Sequence, residues 1–246
     1  MPLQMPSAAI SPPPEVAVYD LDRTLTDGGS WLPFLTFWLR HEAPWRAILL
    51  PLVALGGLAF GLKLIPRGAI KAWAHRWLIG RRVSEARLTA AAARFADGFV
   101  IRHALPAAAE ALARDAAAGR RLVIASASHS YYVHAIAARM GIADVVATEA
   151  VRRDGRVYSD LAGPNCYGAA KRAALEAWLA REGLDDAVVH FTSDHHSDLP
   201  CFELAVERGG TVTCANADAA LVTIAVERGW PVVQWGTLRR SFFERA

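Results

Sequence analysis

The chain has 246 residues, 53% of them apolar, and 27 Lys or Arg against 24 Asp or Glu give a net charge of +3. This much apolar material supports one sizeable core with a small accessory domain and excludes a disordered chain. Three cysteines, Cys166, Cys201 and Cys214, are an odd count without metal-ligand spacing, so a disulfide framework is excluded and a reducing, cytoplasmic compartment is expected. Residues 1–15 are proline-rich and lack a cationic n-region and an apolar h-region, so a flexible tail is expected there and not a signal peptide.

Val16-Ala-Val-Tyr-Asp20-Leu-Asp22-Arg-Thr24 reads as a buried strand whose C-terminal end carries two carboxylates, the place where open α/β sheets bind their ligands. Side chains of an extended segment repeat every two residues, so Asp20 and Asp22 are expected to converge. Two anions that close need a cation or a shared proton between them, and hard oxygen donors without a His or Cys cluster favour Mg²⁺. The plainer alternative is a helix N-cap by Thr24 or Asp22.

No strand signal occurs from Trp31 to about Leu105, which predicts an all-helical insertion. It opens with the apolar Trp31–Leu39, continues with an uncharged run over Ala47–Leu62, and then shows helical patterns at Gly68–Leu78 and Ser84–Phe99. Sixteen residues of helix reach only ~24 Å against a hydrocarbon core of ~30 Å. Pro51, Gly56, Gly57 and Gly61 weaken the run further, and a single span would part Asp20 from the rest of the site. Three placements remain: packing within the insertion, a re-entrant hairpin, or the bilayer interface. Nine Lys or Arg against two acids from Arg40 to Arg87, with five of the eight tryptophans in or just before that stretch, give weight to peripheral contact with an anionic membrane. No nucleic-acid partner is expected.

From Pro106 onward helices alternate with short apolar strands. Helices are predicted at Pro106–Ala118, Tyr131–Met140, Gly168–Arg181, Leu199–Val206 and Ala217–Arg228. Strands are predicted at 121–126, 145–148, 187–192, 211–214 and 231–234, with a hairpin over Val151–Tyr158 around Asp154-Gly155. This pattern predicts an α/β fold with a parallel, Rossmann-like sheet flanked by helices. Ser126 ends a strand, where its hydroxyl and the following amides of Ala127 and Ser128 suit a phosphoryl oxygen. Lys171 lies in the first turn of a helix, where a cation is disfavoured without an anion nearby. Asp194 follows a buried strand and Asp198 comes one turn later, a spacing for one metal ligand and one residue that orients a water or the lysine. His195 and His196 are adjacent, are expected to diverge, and are read as loop residues.

Asp20/Asp22/Thr24, Ser126, Lys171 and Asp194/Asp198 together match, in order, the four motifs of the haloacid dehalogenase-like superfamily. The insertion after the first motif resembles the helical cap of its phosphoserine-phosphatase-like subgroup. The resemblance implies a catalytic core at 16–30 and 106–246 and a cap at 31–105. It implies Asp20 as nucleophile through an aspartyl-phosphate, and Asp22 as general acid and then base. It further implies Mg²⁺ held by Asp20, Asp22 through its backbone carbonyl, and Asp194. Thr24, Ser126, Ala127, Ser128 and Lys171 would bind substrate, and Asp198 would support Lys171. Phosphoserine phosphatases carry a glutamate seven residues after the second aspartate, which is Gly29 here, with Asp27 an imperfect substitute. The cap is similar to that of phosphatidylglycerophosphatase C, so a lipid-linked or amphiphilic phosphomonoester such as phosphatidylglycerophosphate is the expected substrate. The alternatives are a small soluble ester, phosphoserine-like or histidinol-phosphate-like, and a non-catalytic phospho-ligand or membrane-binding protein.

Overall fold

The computed structural model describes residues 12–238; the expected tail falls mostly on residues 1–11, outside the described residues. A six-stranded parallel sheet forms the centre, in the order β4-β3-β1-β7-β8-β9. These strands are β1 (Glu15–Tyr19), β3 (Arg121–His129), β4 (Asp144–Thr148), β7 (Val188–Ser193), β8 (Val212–Ala215) and β9 (Val232–Val233). Strand β1 is buried on both sides, which is why its sequence is a continuous apolar run. The pleat divides it, with Ala17 and Tyr19 in one hydrophobic cluster and Val16 and Val18 in the other.

Helices α7 (Ala169–Arg181), α8 (Leu199–Glu207) and α9 (Ala219–Arg228) supply Leu175, Phe202 and Leu221 to the Val16 side. Helices α5 (Pro106–Ala117) and α6 (Ser130–Arg139) cover the Tyr19 side, where they are joined by α1 (Trp31–His41) and α4 (Glu85–His103) of the insertion. Phe34 of α1 stacks on Tyr132 of α6 at 4.6 Å and meets Phe95 of α4 edge-on at 5.2 Å, so insertion and core share one aromatic core. Chain connectivity moves outward from β1 in both directions, and the crevice at this reversal, beyond the C-terminal ends of β1, β3 and β7, is where a doubly wound sheet takes its ligand.

The insertion leaves and returns through a paired neck. Thr26 bridges Ala104, the Asp27 amide donates to the His103 carbonyl at 2.9 Å, and the Asp27 carboxylate meets His103 Nδ1 at 2.7 Å. Asp27 is therefore held at the neck by His103.

Three sequence expectations need correction. The insertion is not all-helical: β2 (Arg82–Ser84) pairs antiparallel with β6 (Arg156–Leu161), which forms the expected hairpin with β5 (Ala150–Arg153). Three residues are too few to show a period, and their partner is distant in sequence. The apolar run, for which packing within the insertion is one of three placements, is not buried there. It becomes a tight helical turn at Pro44–Leu49 and then α2 (Leu50–Gly61), in which only Gly56 is buried. Strand β1 begins at Glu15, one residue early, and the Pro14 carbonyl already accepts from the Val188 amide at 2.9 Å. Helix α3 (Arg67–Ala74) follows α2 and returns toward the sheet.

Gly210 lies against β7, where a Cβ would come 1.9 Å from the Val189 carbonyl oxygen. Gly210→Ala is expected to destabilise the protein by about 1–3 kcal/mol, read as a lower urea midpoint at unchanged m-value.

Candidate active site

The crevice at the end of β1 is built from four segments. Directly after the strand the chain makes a tight turn over Leu21–Leu25, with Arg23 in the left-handed region at φ 69°. That turn, and not the strand pleat, brings Asp22 back beside Asp20, because the strand ends at Tyr19. The expected convergence is thus correct in outcome and different in cause.

Asp20 is buried and its Oδ1 accepts from Lys171 Nζ at 2.8 Å. Lys171 comes from the first turn of α7 and also donates to Asp198 Oδ2 at 2.7 Å, which in turn accepts from Ser193 Oγ at 2.7 Å. Burial alone would lower the lysine, yet the charges of Asp198 and Asp20 outweigh it and hold the ammonium well above the usual lysine range. Burial pushes the Asp20 carboxyl up to about 7, against the pull of Lys171 and with help from Asp198 and Asp22. Asp194, at the end of β7, is driven well above the carboxylate range by burial and then by Asp20. Its oxygens meet Thr24 Oγ1 at 3.3 Å and Arg23 Nε at 3.3 Å.

Mutually repelling buried carboxylates call for a cation between them. Asp20 and Asp194 offer hard oxygen donors, and Asp198 Oδ1 is buried without a protein partner, so these carboxylates fit a hard divalent cation with an ordered water.

Asp22 is held from the other side. Its Oδ1 accepts from the Ser30 amide at 2.7 Å and its Oδ2 from Ser128 Oγ at 2.8 Å, while Ser30 Oγ and Ser128 Oγ lie 3.0 Å apart. Ser126 is buried and accepts from the Ser128 amide at 3.1 Å. Strand β3 does not stop at Ser126 but continues, with an irregular register, to His129, and α6 starts at Ser130. The Ala127 carbonyl accepts from Thr148 Oγ1 at 2.7 Å and from Lys71 of α3. Hydrogen bonds join Asp20, Lys171 and Asp198, Thr24 and Asp194, and Asp22 and Ser128, while Ser126 and Ala127 directly precede Ser128 on the same strand. Ser30 and Lys71 lie outside the motifs and carry no sequence signal, whereas Ser193 directly precedes Asp194 and only the fold shows that it bonds Asp198.

His195 and His196 do not diverge as expected. Their rings stack at 4.3 Å and both face Asp218 Oδ2, at 3.5 Å and 2.7 Å. His195 Nδ1 also accepts from the Ser197 amide at 3.0 Å, and Asp218 caps α9 through the Leu221 amide, so the cluster clasps the loop to that helix.

A family model described as haloacid dehalogenase-like hydrolase matches residues 17–203. The chain belongs to the haloacid dehalogenase-like hydrolase family. A phosphoserine phosphatase of Mycobacterium tuberculosis, SerB1, is 28% identical over 230 residues, covering 92% of this chain and 72% of that protein. A probable phosphatase of the same organism is 33% identical over 128 residues, covering 52% of this chain and 43% of its own length, so the chain spans about half of some relatives it matches. A solved protein of unknown function from Bordetella pertussis Tohama I shares the fold at TM-score 0.79 and 22% identity, covering 92% of this chain and 100% of that one. Two of these relatives of the haloacid dehalogenase-like chain are named as phosphatases.

Behind this family's crevice lie two buried histidines, His75 of the insertion and His129 of β3, with rings 5.8 Å apart. Burial lowers His75 to about 4 and His129 well below the ordinary 6.5. Both are neutral when folded, so below pH 6.5 the unfolded chain takes up protons the folded chain refuses, and stability falls as pH drops toward 4. Each contributes a slope of up to about 1.4 kcal/mol per pH unit. His75→Gln is expected to flatten the loss between pH 6.5 and 4 by one such increment, measured by urea denaturation across that range.

Proposed function

We propose that the chain is a Mg²⁺-dependent phosphomonoesterase acting through an aspartyl-phosphate on Asp20. The observation that carries this reading is the Asp20 carboxylate, buried at the end of β1 between Lys171 and the Asp22 and Asp194 carboxylates. One Asp20 oxygen attacks phosphorus as the bond to the leaving oxygen breaks, and Asp22 delivers its proton to that oxygen. Asp22, now ionised and steadied by the Ser30 amide and the Ser128 hydroxyl, takes a proton from the water that attacks the acyl phosphate, which releases phosphate and restores Asp20. Lys171 fixes the Asp20 oxygen and offsets charge on the transferring phosphoryl group, while Asp198 holds the lysine. Ser126 and the amides of Ala127 and Ser128 bind phosphoryl oxygens. Mg²⁺ would be held by Asp20, Asp194 and the Asp22 carbonyl, and when bound it neutralises carboxylates and phosphate.

The same reading divides the chain into a catalytic core, 16–30 and 106–246, and a cap, 31–105. Its substrate is a lipid-linked or amphiphilic phosphate such as phosphatidylglycerophosphate, met in the cytoplasm with the cap in peripheral contact with an anionic membrane. Three free, buried cysteines support the reducing compartment. The long match to SerB1 favours a second reading, a small soluble ester, which the absence of a free carboxylate at Gly29 or Asp27 for an ammonium group opposes. The test is phosphate release with Mg²⁺ or EDTA, on phosphatidylglycerophosphate in anionic vesicles against phosphoserine and histidinol phosphate. Faster Mg²⁺-dependent release from the lipid supports the proposal. Preference for a soluble ester overturns the substrate, and no release from any ester makes the chain a binding protein.

A further inference from the structure

The most unusual surface of the molecule is the outer face of α2. The stretch Pro44–Gly61 is long and apolar enough to cross a membrane by length and composition, yet only 6% of it is buried. Leu55, Leu58 and Leu62 repeat at helical spacing on one exposed face, with Leu55 62% exposed, and the turns at either end add Ile48 at 80% and Leu64 at 72%. Soluble proteins rarely leave such a contiguous patch in water.

Two observations choose its partner. Between Glu42 and Glu85 the sequence has no acid, and two cations flank the apolar face, Arg46 one turn before α2 and the exposed Lys63 two residues after it. A second copy of this face would meet it with like charge, whereas an anionic bilayer complements both its charge and its apolar character. The exposed Trp45, with the Arg46 guanidinium 4.5 Å over its ring, is a side chain suited to the headgroup level. Crossing is ruled out by the fold: α2 itself spans about 18 Å, and α3 packs back along it toward the core.

Helix α3 is the second half of the argument. On one side its Trp73 donates from Nε1 to the Leu52 carbonyl at 2.9 Å and sits so close to Gly56 that a Cβ there would lie 2.6 Å from the indole. On its other side Lys71 donates to Asn165 Oδ1 at 2.6 Å and to the Ala127 carbonyl of the phosphate-binding loop. A single helix, about 10 Å thick, thus separates the exposed α2 from the crevice.

We infer that α2 seats in the interface of an anionic bilayer and that α3, clamped between α2 and the Ala127 loop, thereby sets the crevice against the headgroups. This rests on the amphiphilic-substrate reading for its purpose, but binding is measured without turnover. Docking is required for a bilayer-borne phosphomonoester and not for a soluble one.

The experiment compares wild type, Asp20→Asn and the double variant Leu55→Glu/Leu58→Glu. It measures co-sedimentation with phosphatidylglycerol and with phosphatidylcholine vesicles, turnover of phenyl phosphate, and the sedimentation coefficient without lipid. Wild type and Asp20→Asn should bind the anionic vesicles alike, with binding weakened by salt. The double variant should lose at least about 100-fold in partitioning, yet hydrolyse phenyl phosphate like wild type. Wild type remaining in the supernatant, or the double variant still binding, overturns the inference. A wild-type dimer that the double variant converts to monomer overturns it in favour of a second copy. Vesicle binding by a wild type that hydrolyses nothing leaves docking standing and removes the phosphatase reading instead.

Discussion

Asp20→Asn is expected to lower Mg²⁺-dependent phosphate release by at least about 10⁴-fold, because the amide nitrogen cannot form the acyl phosphate and the amide oxygen is a poor nucleophile. The variant keeps the shape of the side chain and removes a charge that repels Asp194, Asp22 and Asp198, so the circular dichroism spectrum should match that of the wild type. The informative comparison is KM against kcat. If Asp20 only bound the cation, excess Mg²⁺ would restore turnover; as the nucleophile it cannot be rescued. Residual release within about tenfold of wild type would remove Asp20 from the reaction.

Lys171→Ala should fail in two ways at once. The ammonium is buried and bonded to both Asp20 and Asp198, so its loss leaves two buried carboxylates without their counter-charge. Removing one partner of a buried pair costs about 3–5 kcal/mol, which urea denaturation at neutral pH will read directly. Turnover should fall by at least about 10²-fold in the fraction that remains folded, through loss of a donor to the transferring oxygens. Adding Asp198→Ala should return part of the stability and none of the activity. That split separates the structural from the chemical role of Lys171, since a purely structural lysine would have both restored together.

The core was legible because both physical signals were local. A run such as Val16–Tyr19, apolar on both faces, is a buried parallel strand, and the carboxylates, serine and lysine at successive strand ends fell where a doubly wound sheet collects its ligands. What was hidden depends on partners distant in sequence. The three-residue β2 exists because β6 pairs with it. Ser30 matters because the tight turn after β1 swings Asp22 onto its amide. Helix α2 is apolar all round, a composition shared by a core helix and a lipid-facing one, and only the fold shows that its leucines face outward. His195 and His196 converge because Asp218, more than twenty residues away, supplies an acceptor for both.

Covalent chemistry at Asp20 leaves an intermediate that can be trapped. Wild type turning over a phosphomonoester with a radiolabelled phosphoryl group, in Mg²⁺, is quenched in acid, digested and mapped. Label is expected on the peptide that contains Asp20, lost on alkaline treatment as an acyl phosphate is, and absent from Asp20→Asn and from EDTA-treated protein. Turnover without any covalent label, or label on a peptide lacking Asp20, would contradict it.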